Sequence, residues 1–162
     1  MEMRNQPERR FDISMKHHEG FRFITQASED GLPHGLPFAS DEPDPVGQNS
    51  GPATPALLAT AVAHCLSASL LETSRKAHLQ ILGIETKATA VVIPNEEGNP
   101  RIKRIEVMLY PSLAEDNARR QRCEDVFQNY CTVSSSLKPA IDIQVKVEWR
   151  VVSPVLAVAE VE

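Results

Sequence analysis

Between Pro55 and Leu71 the chain carries no Asp, Glu, Lys or Arg, and this run constrains the fold more than any other segment. Thr54-Pro55 in front of it is a helix start: a threonine N-cap followed by proline at the first helical position. The spacing predicts a helix over residues 54–77. Leu58, Val62, Cys65 and Ser69 fall on one stripe, with Leu57, Ala61 and Leu66 close by, so small or apolar residues cover most of the circumference. Charge returns only at Glu72, Arg75 and Lys76, where the two cations suit the negative end of the helix dipole. Such a helix has to be wrapped on nearly all sides. A sheet against one face leaves the rest in water, and a second copy of the molecule is the physical solution.

The remaining elements are legible from their periods. Phe11, Ile13 and Met15 alternate with Asp12, Ser14 and Lys16, which predicts a strand over 10–17 with one buried face. His18-Glu19-Gly20 is a tight turn, and 21–26 returns as the second strand of a hairpin. A connection rich in Pro, Gly and Asp follows over 28–53, with short strands or turns expected around 32–38. Strands at 84–93 and 102–110 flank a polar turn bounded by Pro94 and Pro100. Ser112 and Glu115 read as the capping box of a second helix, whose buried stripe is Cys123, Val126, Phe127 and Tyr130. The clearest strand covers 141–152, and 155–161 reads as a short edge strand. The expected fold class is α+β, with order β-β-α-β-β-α-β and a strongly antiparallel sheet packed around two helices. At 162 residues the chain suits one domain over 1–162, with 1–9 expected to be flexible.

Several functions are disfavoured. A net charge of -5 leaves no electrostatic footprint for nucleic acid, and the Arg119-Arg120-Gln121-Arg122 cluster reads as a solvated face. The segment 45–71 is interrupted by Pro, Gly, Gln48, Asn49 and His64, so it reads as loop plus buried helix rather than a membrane span. The first ten residues have no apolar stretch, so no secretory signal is read there, and three cysteines suit a reducing cytosol. No cofactor motif is evident, and no ligand spacing supports a metal.

What remains is thiol chemistry. Cys65 lies within the apolar helix, and Cys131 follows the second helix and opens Thr132-Val133-Ser134. If the fold brings the two helices together, the pair forms a dithiol able to reduce a substrate and close to a disulfide. Cys123 sits on a helix stripe with Phe127 and reads as core. His64 adjoins Cys65 but points about 100° away around the helix.

These motifs carry a resemblance. Asp41-Glu42-Pro43 with Gly47, then Gly51-Pro52, Pro55, Leu57-Leu58 and Ala63-His64-Cys65-Leu66-Ser67, and finally Cys123, Phe127 and Tyr130-Cys131-Thr132-Val133 resemble the OsmC family, which includes the organic hydroperoxide resistance proteins. The likeness covers about residues 11–152. It implies an intertwined homodimer with active sites at the subunit interface, acting as a thiol peroxidase in oxidative-stress defence. Cys65 then matches the peroxidatic cysteine and Cys131 the resolving one, with an organic hydroperoxide as substrate and a dithiol or thiol as reductant. The resemblance also implies an arginine from the N-terminal hairpin, for which Arg22 is the closest match. It implies a glutamate near the start of the central helix, but that position reads Pro55-Ala56-Leu57, leaving Asp41, Glu42 and His64 as the supporting candidates. The missing carboxylate keeps open an alternative: a non-catalytic dimer that binds an apolar small molecule at its interface.

Overall fold

The structure is a computed structural model and describes residues 8–152. The expected edge strand at 155–161 and most of the 1–9 segment lie outside that range. The chain divides between Thr54 and Pro55 into two compact units.

The first unit is an antiparallel three-stranded sheet: β1 (Phe11–Glu19), β2 (Arg22–Glu29) and β3 (Leu32–Ser40), in that order. Gly20 turns β1 into β2 at φ 52, and Asp30-Gly31 turns β2 into β3 with both residues at positive φ, a two-residue hairpin turn. The short element expected around 32–38 is therefore a full strand. The registers Phe11↔Glu29↔Leu32 and Met15↔Thr25↔Phe38 place Phe11, Ile13, Met15, Leu32 and Phe38 on one face. That face was expected to be buried. Instead Phe11 is 67% exposed and Ile13 63%.

The second unit begins with α1 (Thr54–Lys76), followed by β4 (Gly83–Pro94) and β5 (Pro100–Leu113) as a hairpin. Next come α2 (Arg119–Val126), a 3-10 turn over Phe127–Tyr130, and α3 (Thr132–Leu137). β6 (Asp142–Val147) and β7 (Arg150–Val151) complete it. Alternate residues of β5 (Ile105, Val107, Leu109 and Leu113) are buried against Val62, Leu66 and Leu70, which recur every fourth position on α1. Each such aliphatic side chain contributes about 1.5–3 kcal/mol by leaving water. Phe127, Cys123 and Cys131 complete the same core, so α1 and the helices after β5 share one face of the sheet.

Four details depart from the sequence expectation. The element order is β-β-β-α-β-β-α-α-β-β, and it makes two sheets. β6 and β7 pair with β5 in parallel, with Val107 opposite Val145 and Ser112 opposite Arg150. An alternating strand looks the same in either orientation, so its period could not show this. Ser112 is not a cap: β5 runs on through Leu113, because Leu109, Pro111 and Leu113 continue its buried face. Tyr130, placed on a buried stripe, is 68% exposed because the chain tightens into the 3-10 turn after Val126.

α1 is long and apolar enough to cross a membrane by length and composition. Here it buries Val62, Leu66 and Leu70 on the sheet of its own unit.

Candidate active site

Parallel pairing requires the chain to cross the sheet between β5 and β6, and that crossover carries Cys131 over to α1. The Cys65 thiol is close enough to the Cys131 thiol, and to the backbone amides of Val133 and Thr132, for each of them to act on its ionisation. All three cysteines are free thiols. Cys131 is fully buried, whereas Cys65 keeps part of its surface exposed.

α3 is organised around these sulfurs. Cys131 is its N-cap: the backbone is extended (φ -81, ψ 101), and Sγ accepts a hydrogen bond from the Ser134 amide at 3.4 Å. Amides left without helical partners in a first turn normally take a side-chain oxygen or water. Here the Ser134 amide takes the Cys131 sulfur, and the amides of Thr132 and Val133 lie near enough to Cys65 to favour its thiolate. Burial, followed by the Cys131 thiol, pushes the Cys65 thiol above its ordinary range; the amides of Val133 and Thr132 pull the other way and do not win.

A groove of about 580 Å³ opens beside Cys65, between one face of α1 and one face of α2. Cys123 lines it too, although its side chain is buried.

The other residues singled out from the sequence occupy distinct places. Arg22 opens β2 opposite Glu19, and its buried Nε has no hydrogen-bond partner among the described residues. Asp41 is buried and occupied with its own loop. It accepts hydrogen bonds from the amides of Glu42 (2.8 Å), Gln48 (3.1 Å) and Ser50 (3.1 Å), and from the Ser50 hydroxyl (2.8 Å). Burial alone would raise its pKa; the Ser50 hydroxyl and the three amides outweigh that and hold it below the usual carboxylate value. Glu42 gives its backbone to the same loop. His64 is exposed on α1. Among the described residues no group of three His, Cys, Asp or Glu side chains is gathered to hold a metal ion.

Sequence reasoning missed the amides of Thr132 and Val133, because backbone donors carry no residue signature. Arg119 and Arg122, read from the sequence as part of a solvated face, are exposed and line the groove.

The model of the family described as OsmC-like protein matches residues 47–146, which include both cysteines of the contact pair. The chain belongs to the OsmC family. No curated protein sequence matches it significantly. Among solved structures, the OsmC-like protein of Mycoplasma pneumoniae superposes with a TM-score of 0.69 at 16% identity, covering 87% of this chain and 97% of that one. A putative osmotic stress induced and detoxification response protein from Psychrobacter arcticus has a TM-score of 0.66 at 21% identity, covering 84% and 94%. A putative organic hydroperoxide resistance protein from Vibrio cholerae, with captopril bound in one of its active sites, has a TM-score of 0.62 at 23% identity, covering 84% and 90%. At these identities the likeness is one of fold. The OsmC fold expected from the two cysteine motifs is the fold observed.

Proposed function

We propose that this OsmC-family protein is a thiol-dependent reductase of organic hydroperoxides. The observation that carries the reading is the closeness of the Cys65 thiol to the Cys131 thiol and to the amides of Thr132 and Val133, all packed on one core. In the first step the Cys65 thiolate attacks the terminal peroxide oxygen and the O–O bond breaks. Cys65 becomes a sulfenic acid and the alkoxide takes up a proton to leave as the alcohol. The Cys131 thiol then attacks the sulfenic sulfur, water departs, and a Cys65–Cys131 disulfide forms. Two equivalents of a thiol, or one of a dithiol, restore the pair and leave as their own disulfide.

The amides of Thr132 and Val133 supply partial positive charge to the attacking sulfur. Arg22 is proposed as the cation that stabilises the departing alkoxide, on the strength of the family resemblance and of an Nε that has no partner among the described residues. Asp41 and Glu42 support the reading only as the frame of the loop before α1. The working molecule is proposed to be a cytoplasmic homodimer, which the apolar face of the first sheet supports.

The test is stopped-flow oxidation of the fully reduced protein by an organic hydroperoxide, followed by mass spectrometry of the product. Rapid stoichiometric consumption with a Cys65–Cys131 disulfide is expected. Reaction no faster than a free thiol, with both cysteines still reduced, overturns the proposal. The groove beside Cys65 would then favour the second reading, a binding protein for a small molecule with an apolar body.

A further inference from the structure

The groove beside Cys65 has a direction. On α1 its wall is Cys65, Ser69, Thr73 and Lys76, one face at helical spacing. On α2 and the turn after it, the wall includes Arg119, Arg122, Val126 and Tyr130, again one face. The two walls run antiparallel. Arg119 Nη1 donates to the His78 carbonyl (3.2 Å) just past the C-terminal end of α1, while Cys131 meets Cys65 near its middle. At 1.5 Å per residue, the stretch from Cys65 to Lys76 spans about 16 Å. The thiol pair therefore marks one end, Arg119 the other, and Arg122 lies one turn nearer the sulfurs.

The charges along this groove do not cancel. Its one acid, Glu72, is already committed to Arg75 (2.8 Å) and Lys76 (3.3 Å). Lys76 also lies over the Tyr130 ring, 5.9 Å from its centroid. Among the described residues neither Arg119 nor Arg122 has a carboxylate within ion-pair distance, although Arg75, Arg104, Arg120 and Arg150 all do. With no carboxylate on either guanidinium among the described residues, and only the His78 carbonyl on Arg119, the donors that remain suit a planar anion, which they can bind through paired N–H groups.

We infer that Arg119 and Arg122 form a carboxylate-binding subsite that aligns an elongated molecule with its reactive end at Cys65. The inference rests on the peroxidase reading for the reaction but not for the binding. Two molecules of this chemistry need the Cys65 sulfur: the hydroperoxide, and the thiol that reduces the disulfide. Because Cys131 is fully buried, that reducing thiol must attack Cys65.

The two half-reactions separate the sources. One arm measures oxidation of the reduced protein by a long-chain hydroperoxide bearing a terminal carboxylate and by its methyl ester. The other measures reduction of the disulfide form by a mercapto acid and by its amide. In at least one arm the acid is expected to outpace its neutral partner by roughly tenfold or more in kcat/KM, and R119Q/R122Q is expected to bring that ratio close to one. R119K/R122K, which keeps the charge without the fork, is expected to restore it in part. Calorimetry with the saturated C16 carboxylate and its methyl ester reads the subsite without any peroxide. If no half-reaction occurs but the acid still binds and R119Q/R122Q abolishes binding, the peroxidase reading falls and the subsite stands. Equal rates for acid and neutral partner in both arms, or a preference that survives R119Q/R122Q, overturns the inference.

Discussion

At the scale of single residues, the chemistry turns on how unlike the two sulfurs are. Cys131 is buried and already accepts the Ser134 amide, while Cys65 is partly exposed and lines the groove. Cys131→Ser is therefore expected to preserve a first burst of peroxide consumption and to leave Cys65 as a sulfenic acid that dimedone traps. Turnover should fall by roughly a hundredfold or more. A full-rate C131S enzyme would remove Cys131 from the mechanism. The direction of the Cys65 shift sets the pH dependence. Burial and the neighbouring thiol favour the protonated form, so the reactive thiolate is scarce at neutral pH and grows as pH rises. Oxidation of the reduced protein is expected to accelerate about tenfold per pH unit through neutrality and to keep rising past about 8.5, the ordinary thiol value. A rate that levels off below about pH 7 would show that the thiolate is held by a cation instead. Cysteine identity and motif were legible here from sequence alone; the amides of Thr132 and Val133 were not, since any residue can present an N–H.

At the scale of elements, the loop between β3 and α1 is the most tightly specified segment. Its carboxylate, Asp41, gathers three amides and a hydroxyl, and Gly47 packs directly over it. A Cβ at Gly47 would collide with the Glu42 carbonyl oxygen and lie 2.6 Å from Asp41 Oδ1. Gly47→Ala is thus expected to destabilise the protein by about 1–3 kcal/mol in a denaturant titration. It should also speed hydrogen exchange at the amides of Gln48 and Ser50, whereas unchanged exchange would mean the loop has room to spare. The Asp41-Glu42-Pro43 and Gly47 pattern announced a specific loop without saying that its acid faces inward. Helix α1 was fully legible because a threonine-proline start and a charged end bracket an apolar period. The second helix was misplaced at its start, where the Ser112/Glu115 box was a local signal overridden by the continuing buried face of β5.

At the scale of the whole molecule, the apolar face of the first sheet asks for a cover. Phe11, Ile13, Met15, Leu32 and Phe38 share one face of that sheet and are all exposed. If a second copy supplies that cover, sedimentation should report twice the chain mass. Ile13→Lys should shift the equilibrium toward monomer, because it places a charge in a desolvated contact. A wild-type monomer at micromolar concentration would reject the dimer. The sequence called for such a partner from helix α1, by counting apolar positions. It was silent on the sheet patch, because an alternating strand looks the same whether its apolar face meets its own chain or another.

The parallel pairing of β6 with β5 has a consequence in time. Cys65 leaves the ribosome long before Cys131, and their sulfurs can approach only after β5 and the crossover helices have been made. A nascent or half-unfolded chain carries ordinary thiols with no reactive pair. If the pair is the peroxidase proposed above, competence to consume peroxide by this route arrives only with the packing of the crossover helices on α1. The rate of disulfide formation between the two cysteines can then serve as a clock for the folding of the segment that joins them.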